Sequence, residues 1–326
     1  MRKGFTMSKN RLLRFVSGTI LAMLMLSGPV IALAAPQMTP PMAHLAQVAQ
    51  SNFPTAEAAV DALIGELGKH NNAGLRALMG LGGEKLLESG DKIADQRAQQ
   101  NFLNDYAAHH QIDRQGDNRA ILIVGTNDWP MPIPIVQANG SWHFDATAGA
   151  QEIINRRIGR SEIAAIRTSL AYADGQEAYH ARFGTYATRL FSSPDKYDGL
   201  YWNAGPGEPD SPLGPLVAQA VEEGYPGAQS AGKPVPYQGY YFRILKGQGP
   251  SAPGGRKSYM SGGAMTAGYA LLAWPAIYGS SGITSFIIDQ DGIVFQKDLG
   301  PNTGKIITGL SLYDPDITWA RVDITP

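Results

Sequence analysis

The sequence predicts an α+β fold in two parts, each made of helices followed by an antiparallel sheet. Apolar residues recur at helical spacing in the first part and again over residues 149–182, which indicates amphipathic helices. Short runs rich in β-branched and aromatic residues follow each helical region, with glycine-containing turns between them. Helices that precede a series of hairpins are typical of α+β proteins. We therefore expect domains at residues 53–148 and 149–326.

Three helices open the first domain, and Thr55 is well suited to cap the first of them. An antiparallel sheet follows, in which Gly140 turns one strand into the next. The predicted helices cover residues 56–69, 75–79 and 93–109, and the predicted strands cover residues 119–124, 133–138 and 141–145.

A proline-rich stretch, residues 128–135 (DWPMPIPI), lies between the first two of these strands. Prolines at every second position remove the N–H groups that would face one edge, while Trp129, Met131, Ile133 and Ile135 share one face. We predict an edge strand with one edge blocked against further pairing. The alternative is a polyproline ligand for a partner protein.

The second domain begins with residues 149–182, which form either one long helix or two joined helices with a bend at Gly159. Residues 183–236 are rich in Gly, Pro and Tyr and show few periodic signals. We expect a packed functional loop or a flexible one there, with a short helix over residues 212–223. The strands of the closing antiparallel meander are predicted over residues 239–245, 267–274, 282–288 and 293–297.

The first 34 residues have the pattern of an export signal. Five basic residues precede a solid apolar run at residues 20–26, and the small-x-small motif Ala-Leu-Ala ends at Ala34. We predict cleavage after Ala34, a mobile lead-in over residues 35–52, and a soluble product in the periplasm or outside the cell. The alternative is an uncleaved anchor, because residues 15–34 are long enough to span a bilayer.

Charge and cysteine content exclude several classes of protein. The chain has 27 basic and 28 acidic residues; the export signal holds five basic and no acidic ones, so the remainder has 22 and 28 and a formal net charge of −6. A mildly acidic chain lacks the basic surface that binds nucleic acid or an anionic membrane. We expect neither nucleic-acid binding nor stable membrane insertion after cleavage. Without cysteine, disulfides, thiol catalysis and a lipoprotein anchor are excluded.

No stretch of the sequence matches a known catalytic or metal-binding motif in full. Asp289-Gln290-Asp291-Gly292 begins like a calcium loop, but the later ligand positions are apolar or basic, so Asp-Gly between apolar runs indicates a hairpin turn. Residues 300–305 (GPNTGK) are one residue short of a phosphate loop. The histidines lack zinc spacing, and no Gly-x-Ser-x-Gly elbow is present. We predict no catalytic residue, metal or cofactor. The alternative is a catalytic site made of carboxylates that come together only in the folded protein.

Aromatic and basic side chains are the better candidates for binding. Exposed rings near glycine-rich loops can stack on a sugar or a peptide. The basic cluster either clamps a carboxylate or phosphate or forms a solvated helix face that pairs with neighbouring acids. The candidate binding residues are Trp129, Tyr201, Trp202, Tyr241, Arg156, Arg157 and Arg160.

Seven segments occur together and in order along the chain. They are residues 155–160 (NRRIGR), 198–202 (DGLYW), 211–216 (SPLGPL), 239–245 (GYYFRIL), 249–255 (GPSAPGG), 273–279 (AWPAIYG) and 289–300. Their combination resembles a bacterial family of exported proteins catalogued as domain of unknown function 2950. The resemblance implies export but neither a known activity nor a known site.

Two further resemblances rest on the order of elements. Residues 53–150 are similar to cystatin/NTF2-like folds, in which helices lie on a curved sheet. The second half resembles the globular part of type IV pilins, with YHARFGTYA at residues 179–187 late in the helix and ahead of the meander. Lys9 stands where a prepilin leader has Glu, so we expect a soluble pilin-like fold and no fibre subunit.

These observations favour a non-enzymatic envelope protein that acts by binding or assembly, with another envelope protein, a glycan or a peptide as partner. One alternative is a pocket protein, with a small molecule held in the first domain near Trp129 and Trp142. The other is a hydrolase whose carboxylates assemble in space. A closed apolar cavity would favour the pocket protein, and acids with a raised pKa in a cleft would favour the hydrolase.

Overall fold

The computed structural model describes residues 50–227 and 234–323. The predicted export signal, residues 1–34, and residues 35–49 of the predicted lead-in lie outside the described residues. Helices and antiparallel sheets make up the described part, which confirms the predicted α+β class. No helix of this part combines the length and the apolar character that crossing a membrane requires.

Four helices precede the first sheet: α1 (Ala56–Gly68), α2 (Asn72–Met79), α3 (Glu84–Leu87) and α4 (Lys92–Ala108). Thr55, Asn71 and Asp91 cap three of them, because each side chain accepts a hydrogen bond from the backbone N–H three residues on, at 3.1, 3.2 and 3.0 Å. One apolar face of α1 and of α2 is buried, whereas α4 has no buried residue.

The first sheet contains β1 (His110–Arg114), β2 (Arg119–Val124), β3 (Trp129–Pro130), β4 (Ile135–Ala138) and β5 (Ser141–Phe144). Its order is β1-β2-β4-β5, β3 also pairs with β2, and every pairing is antiparallel. The sequence prediction lacks β1, because that strand is mostly polar and exposed and so gives no alternating apolar signal.

A single helix of 38 residues, α5 (Ala146–Phe183), links the two halves of the chain. Asp145 caps its start by accepting a hydrogen bond from the Ala148 N–H at 3.2 Å. Gly184 ends it in the left-handed conformation with φ +69°, a common helix stop. Since the helix passes Gly159 without a break, the single-helix alternative of the prediction is correct.

The continuous edge strand predicted over residues 128–135 is wrong. β3 ends at Pro130, the chain bends through Pro132, and strand structure resumes only at Ile135. The prolines donate no N–H to a ladder, and α5 packs closely against the bend. A Cβ atom on Gly149 would lie 2.1 Å from the Pro132 carbonyl oxygen, so only glycine permits this approach.

The second half of the described chain adds two helices, α6 (Gly214–Glu222) and α7 (Thr303–Gly309), and further short and long strands. The strands are β6 (Tyr240–Leu245), β7 (Gly247–Gln248), β8 (Lys257–Ser258), β9 (Met260–Ser261), β10 (Ala264–Met265), β11 (Ala270–Pro275), β12 (Thr284–Asp289), β13 (Phe295–Asp298) and β14 (Ala320–Arg321). The main sheet has the order β14-β13-β12-β11-β6 with antiparallel neighbours, so β6 is an edge strand. β7 pairs with β8, and β9 pairs with β10.

The acidic stretch between β12 and β13 is a hairpin turn, as predicted. The Gly292 N–H donates to the Asp289 carbonyl oxygen at 3.0 Å. Gly292 has φ +70°, a conformation that glycine adopts without a steric penalty. The turn reverses the chain from β12 into β13.

The described residues form one compact unit with two hydrophobic cores. The first core lies between the early helices and the first sheet, and the second lies between α5 and the main sheet. α5 serves both, because Ala146 belongs to the first core and Ala165 to the second. The predicted domain boundary at residue 148 therefore falls within the first turn of a continuous helix.

Candidate functional site

An apolar cavity of about 450 Å³ lies in the second half of the molecule, between α5, α6 and the edge strand β6. Its walls include Tyr172 of α5, Val217 of α6 and Phe242 of β6. All of its lining residues lie between Thr168 and Leu271, so the first domain contributes none. Small-molecule sites in proteins are about 300–1,000 Å³, and this cavity is within that range.

One wall is formed by the segment that leads into α6. The Leu213 N–H donates to the Leu200 carbonyl oxygen at 3.0 Å, which fixes the start of the helix. On α5, Gly175 leaves room for Leu213, because a Cβ atom there would lie 3.1 Å from Leu213 Cδ2. α6 then buries Val217 and Ala220, both of which line the cavity. This wall is held by local contacts within the second half.

Aromatic rings in pairs form much of the remaining lining. Phe191 and Tyr201 meet edge to face with ring centroids 5.9 Å apart. Tyr225 and Tyr237 meet in the same way at 5.0 Å. Edge-to-face pairs are favourable ring geometries and restrict the position of each ring. The cavity therefore has stiff aromatic walls.

Two of the tyrosine hydroxyls at the cavity are already bonded to the protein. Tyr172 donates to the Ala270 carbonyl oxygen at 3.2 Å and accepts from Gln176 Nε2 at 2.9 Å. Burial raises the pKa of Tyr172, so its phenol stays neutral. The Tyr225 hydroxyl donates to Asp91 Oδ2 at 2.8 Å. Because their hydroxyl groups are bonded to the protein, these two tyrosines contribute mainly ring carbon atoms to the cavity lining. Such a lining favours recognition of a ligand by its shape and by apolar contact.

Asp91, in the first half of the chain, does not line the cavity but fixes the wall that contains Tyr225. Its side chain is 1% exposed. Its Oδ2 accepts from Tyr225 and from the Gly239 N–H, each at 2.8 Å, while Oδ1 caps α4. Burial, and then the Asp91 carboxylate, raise the pKa of Tyr225. Arg97 of α4 adds an ion pair with Glu223 at 3.0 Å. The start of α4 therefore positions part of the cavity wall.

Two of the seven predicted binding residues, Tyr201 and Tyr241, line the cavity. Trp202 does not, because its side chain is buried and its Nε1–H donates to the Pro209 carbonyl oxygen at 2.9 Å. Its ring packs instead against Phe183 and Tyr197, at 6.2 and 5.0 Å between centroids.

Trp129 lies in β3 and does not line the cavity. Its ring meets Phe102 edge to face at 6.5 Å, and the Arg156 guanidinium lies 5.9 Å over it. Arg156 also pairs with Glu152 at 2.7 Å, as a residue of a solvated helix face would. Both side chains are accounted for by contacts within the protein.

Arg157 connects the two halves of the molecule. It donates to the carbonyl oxygens of Lys85 (3.0 Å) and Leu86, and to Ser280 Oγ at 3.3 Å. Burial lowers its pKa. Arg160, by contrast, is exposed. The three predicted arginines thus have different surroundings and do not converge on one anion site.

Asp289 has an environment that its sequence position does not reveal, although its turn is predicted. The side chain is 1% exposed, and burial raises its pKa to about 6, with Asp291 adding to the effect. Its Oδ1 accepts from the Asp291 N–H at 3.1 Å, and its side chain is hydrogen-bonded to Tyr313. Asp289 does not line the cavity, and no cluster of acids and histidines in the described residues could hold a metal.

Most cavity residues escape the sequence prediction. Leu213, Val217, Tyr225 and Tyr237 have the same apolar or aromatic character as core residues, and no spacing separates the two roles. The one usable signal is the glycine- and proline-rich composition of residues 183–236, which predicts a packed functional loop. That stretch supplies three of the four paired rings, Phe191, Tyr201 and Tyr225, and the fourth, Tyr237, follows directly after it.

Comparison with known proteins agrees with the motifs. A family model described as protein of unknown function (DUF2950) matches residues 50–322, which include both hydrophobic cores and the cavity. Neither the curated proteins nor the solved structures gave a match. The match covers most of the chain, and the chain belongs to the DUF2950 family.

Proposed function

We propose that the protein is exported and acts as a binding protein, whose cavity takes an apolar small molecule without converting it. Export is supported by the basic and apolar pattern of residues 1–34 and its cleavage motif at Ala34. The protein then works in the periplasm or outside the cell. No disulfide contributes to its fold, because the chain has no cysteine.

The observation that carries the proposal is the cavity itself. Protein interiors are close-packed and contain few voids larger than a water molecule. The cavity is partly open to solvent, and its volume of about 450 Å³, lined by Tyr201, Tyr241, Val217 and Leu271, has the size of a small-molecule site. Apolar surface gains about 25 cal/mol for each Å² removed from water, so an apolar ligand would be stabilised there.

The alternatives receive less support. Trp142, near which a first-domain pocket is predicted, is 4% exposed and packs in the first core, with Arg114 5.0 Å over its ring. For a hydrolase, the acid with the most raised pKa would need to face a cleft, and Asp289 is outside the cavity lining. The proposal therefore relocates the pocket to the second half and assigns no catalytic residue.

A second candidate function uses the outside of the second half. Phe183 and Tyr197 are 38% and 41% exposed and stack at 6.4 Å beside buried Trp202. Rings in this arrangement can stack on a sugar or a peptide of the envelope. Replacing Tyr197 with Ala would then abolish retention on a glycan or peptide column while leaving cavity binding unchanged.

The cavity proposal is tested with a neutral fluorescent probe, N-phenyl-1-naphthylamine, titrated into the purified protein. We expect saturable fluorescence enhancement for the wild type and at least a tenfold weaker affinity for Leu216→Trp, since Leu216 lines the cavity. Val221→Trp is the matched control, because Val221 lies on the same helix and is 53% exposed. Absence of saturable binding, or equal loss in both variants, would contradict the proposal.

A further inference from the structure

The cavity continues along the edge strand β6 into an open groove of about 430 Å³. Leu190, Phe191 and Phe242 line both spaces, so the two are adjacent. The far part of the groove is lined by Arg189 and Arg243. A ligand that fills both spaces would have an apolar environment at one end and a cationic environment at the other.

Arg243 is a cation that no acidic side chain of the described chain neutralises, since it takes part in none of the ion pairs there. One guanidinium nitrogen, Nη2, donates to the carbonyl oxygens of Ile307 (2.6 Å) and Leu310. The guanidinium also lies 5.5 Å over the Trp274 ring. Its Nε atom is buried and has no hydrogen-bond partner in the structure.

Burial lowers the pKa of Arg243, yet a guanidinium keeps its charge at neutral pH. Charge-assisted hydrogen bonds from arginine to a carboxylate or phosphate are stronger than neutral ones, and arginine forms them in pairs. An anion bound in the groove would supply the missing counter-charge.

The edge of β6 adds backbone donors beside this arginine. β6 pairs with β11 on one side, and Tyr240 exchanges both backbone hydrogen bonds with Tyr237 on the other side. Because the direction of backbone groups alternates along an antiparallel strand, the N–H groups of Phe242 and Ile244 point to the same free side as those of Tyr240. Phe242 and Ile244 both line the groove.

Arg189 supplies a second, weaker positive charge. Its Nη1 lies 3.7 Å from Asp198 Oδ2 and 2.6 Å from Ser193 Oγ, and half of its side chain is exposed. Asp198 therefore already neutralises part of its charge, and exposed pairs of this kind contribute little. Arg243 is the residue expected to discriminate between end groups.

We propose that the natural ligand is an amphiphile with an apolar chain and an anionic end group, whose chain occupies the cavity and whose end group is bound by Arg243. This inference rests on the proposed function, because it names the ligand class of the same cavity. A carboxylate is the simplest such end group, and a lipid phosphate shares its chemistry. The free amphiphile is the form we assign, since the cavity between α5, α6 and β6 would take its chain out of the membrane.

The test compares three molecules with the same ten-carbon chain: decanoate, decanol and decylamine. Each displaces N-phenyl-1-naphthylamine from the purified protein in the same buffer. We expect decanoate to bind at least tenfold more tightly than decanol, and decylamine to bind most weakly. Equal affinity for decanoate and decanol would overturn this inference and leave the proposed function standing. Displacement by none of the three would also overturn this inference, whereas the proposed function fails only if the probe itself does not bind saturably.

Variants identify the arginine. Arg243→Met should reduce decanoate binding at least tenfold and leave decanol binding unchanged, whereas Arg160→Met, at an exposed arginine outside the groove, should change neither. If Arg243→Met fails to fold, Arg243→Lys serves in its place. Because lysine keeps the positive charge, this variant should retain part of the preference for decanoate over decanol. An unchanged decanoate preference in both Arg243 variants would overturn the assignment.

A vesicle measurement separates the two sources of such an end group. The protein is mixed with phosphatidylglycerol vesicles and sedimented. We expect it to stay in the supernatant while decanoate binds in solution. Sedimentation with the vesicles, without decanoate binding, would overturn the free amphiphile and assign a membrane lipid instead.

Discussion

The two hydrophobic cores of this protein are built from different side chains. The first is filled mainly by aliphatic residues, and its fully buried members include Leu75, Leu122, Ile133, Ile135 and Phe144. The second contains a group of fully buried tyrosines. These tyrosines are Tyr172, Tyr240, Tyr259, Tyr269 and Tyr313. The cavity lies beside the second core, and its lining includes Tyr172.

The difference explains why the cavity lies where it does. A buried tyrosine needs a hydrogen-bond partner, and Tyr240 and Tyr269 donate to the carbonyl oxygens of Thr284 (2.8 Å) and Ala173 (3.3 Å). Such bonds hold each ring at one place, whereas aliphatic side chains adjust until the space is filled. The first core is therefore closely packed, whereas an unfilled cavity lies beside the second.

The largest expected contrast comes from the same truncation in the two regions. Leu75→Ala removes a fully buried side chain from the first core and should lower the free energy of unfolding by about 3–5 kcal/mol. Leu216→Ala removes a side chain that already faces the cavity and should cost no more than about 1 kcal/mol. Urea unfolding measures both, and equal losses would mean that the two cores are packed alike.

The second prediction concerns the contact between the two regions. Asp91→Ala leaves the Tyr225 hydroxyl and the Gly239 N–H without their shared acceptor, so the free energy of unfolding should fall by about 3 kcal/mol. Probe affinity should fall as well, since Tyr225 lines the cavity. Asp61→Ala, at an exposed acid of α1, is the control and should change neither quantity. A destabilised Asp91→Ala protein with unchanged probe affinity would separate the first half from the cavity.

The sequence predicts those elements of the fold that are encoded by residues close together in the chain. Helical structure over residues 149–182, which α5 contains, and the turn at Gly292 follow from periodicity and from Asp-Gly, which need no knowledge of the rest of the chain. The polar strand β1 and the bend at Pro132 depend on neighbours across the sheet and on α5, and the prediction misses both.

The candidate site is less predictable for the same reason. Tyr201 and Tyr241 are singled out as rings near loops and line the cavity, while adjacent Trp202 has the same signal and is buried against Pro209. Asp289 is buried and its side chain is hydrogen-bonded to Tyr313, which is distant in sequence. Whether a ring closes a core or opens onto a cavity is decided by residues far along the chain.

A third prediction uses the buried carboxyl group of the second core. Because the pKa of Asp289 is raised from 3.8 to about 6 in the folded protein, its contribution to stability is full below about pH 4 and is lost as the pH rises through 6. The unfolding free energy of the wild type relative to Asp289→Asn should therefore decrease by on the order of 2 kcal/mol between about pH 4 and pH 7. A difference that stays constant over this range would show that Asp289 is not buried in solution.

The smallest expected effect concerns neighbouring arginines at the junction. Arg157→Met removes donors to Lys85 and Leu86 and should lower the free energy of unfolding by about 1.5–2 kcal/mol. Arg156→Met removes an exposed pair with Glu152 and should change it by less than about 0.5 kcal/mol. Thermal and urea unfolding of both variants measure the difference, and equal effects would argue against Arg157 as the connection between the regions.

The most direct test is native mass spectrometry of the wild type and of Leu216→Trp, both exported and purified from the same bacterial host without detergent. If the cavity beside the tyrosine core is a binding site, the wild type should carry a bound small molecule that is released on unfolding, and the variant should not. A wild-type protein that remains at its bare mass, even after incubation with host lipid extract, would contradict the account.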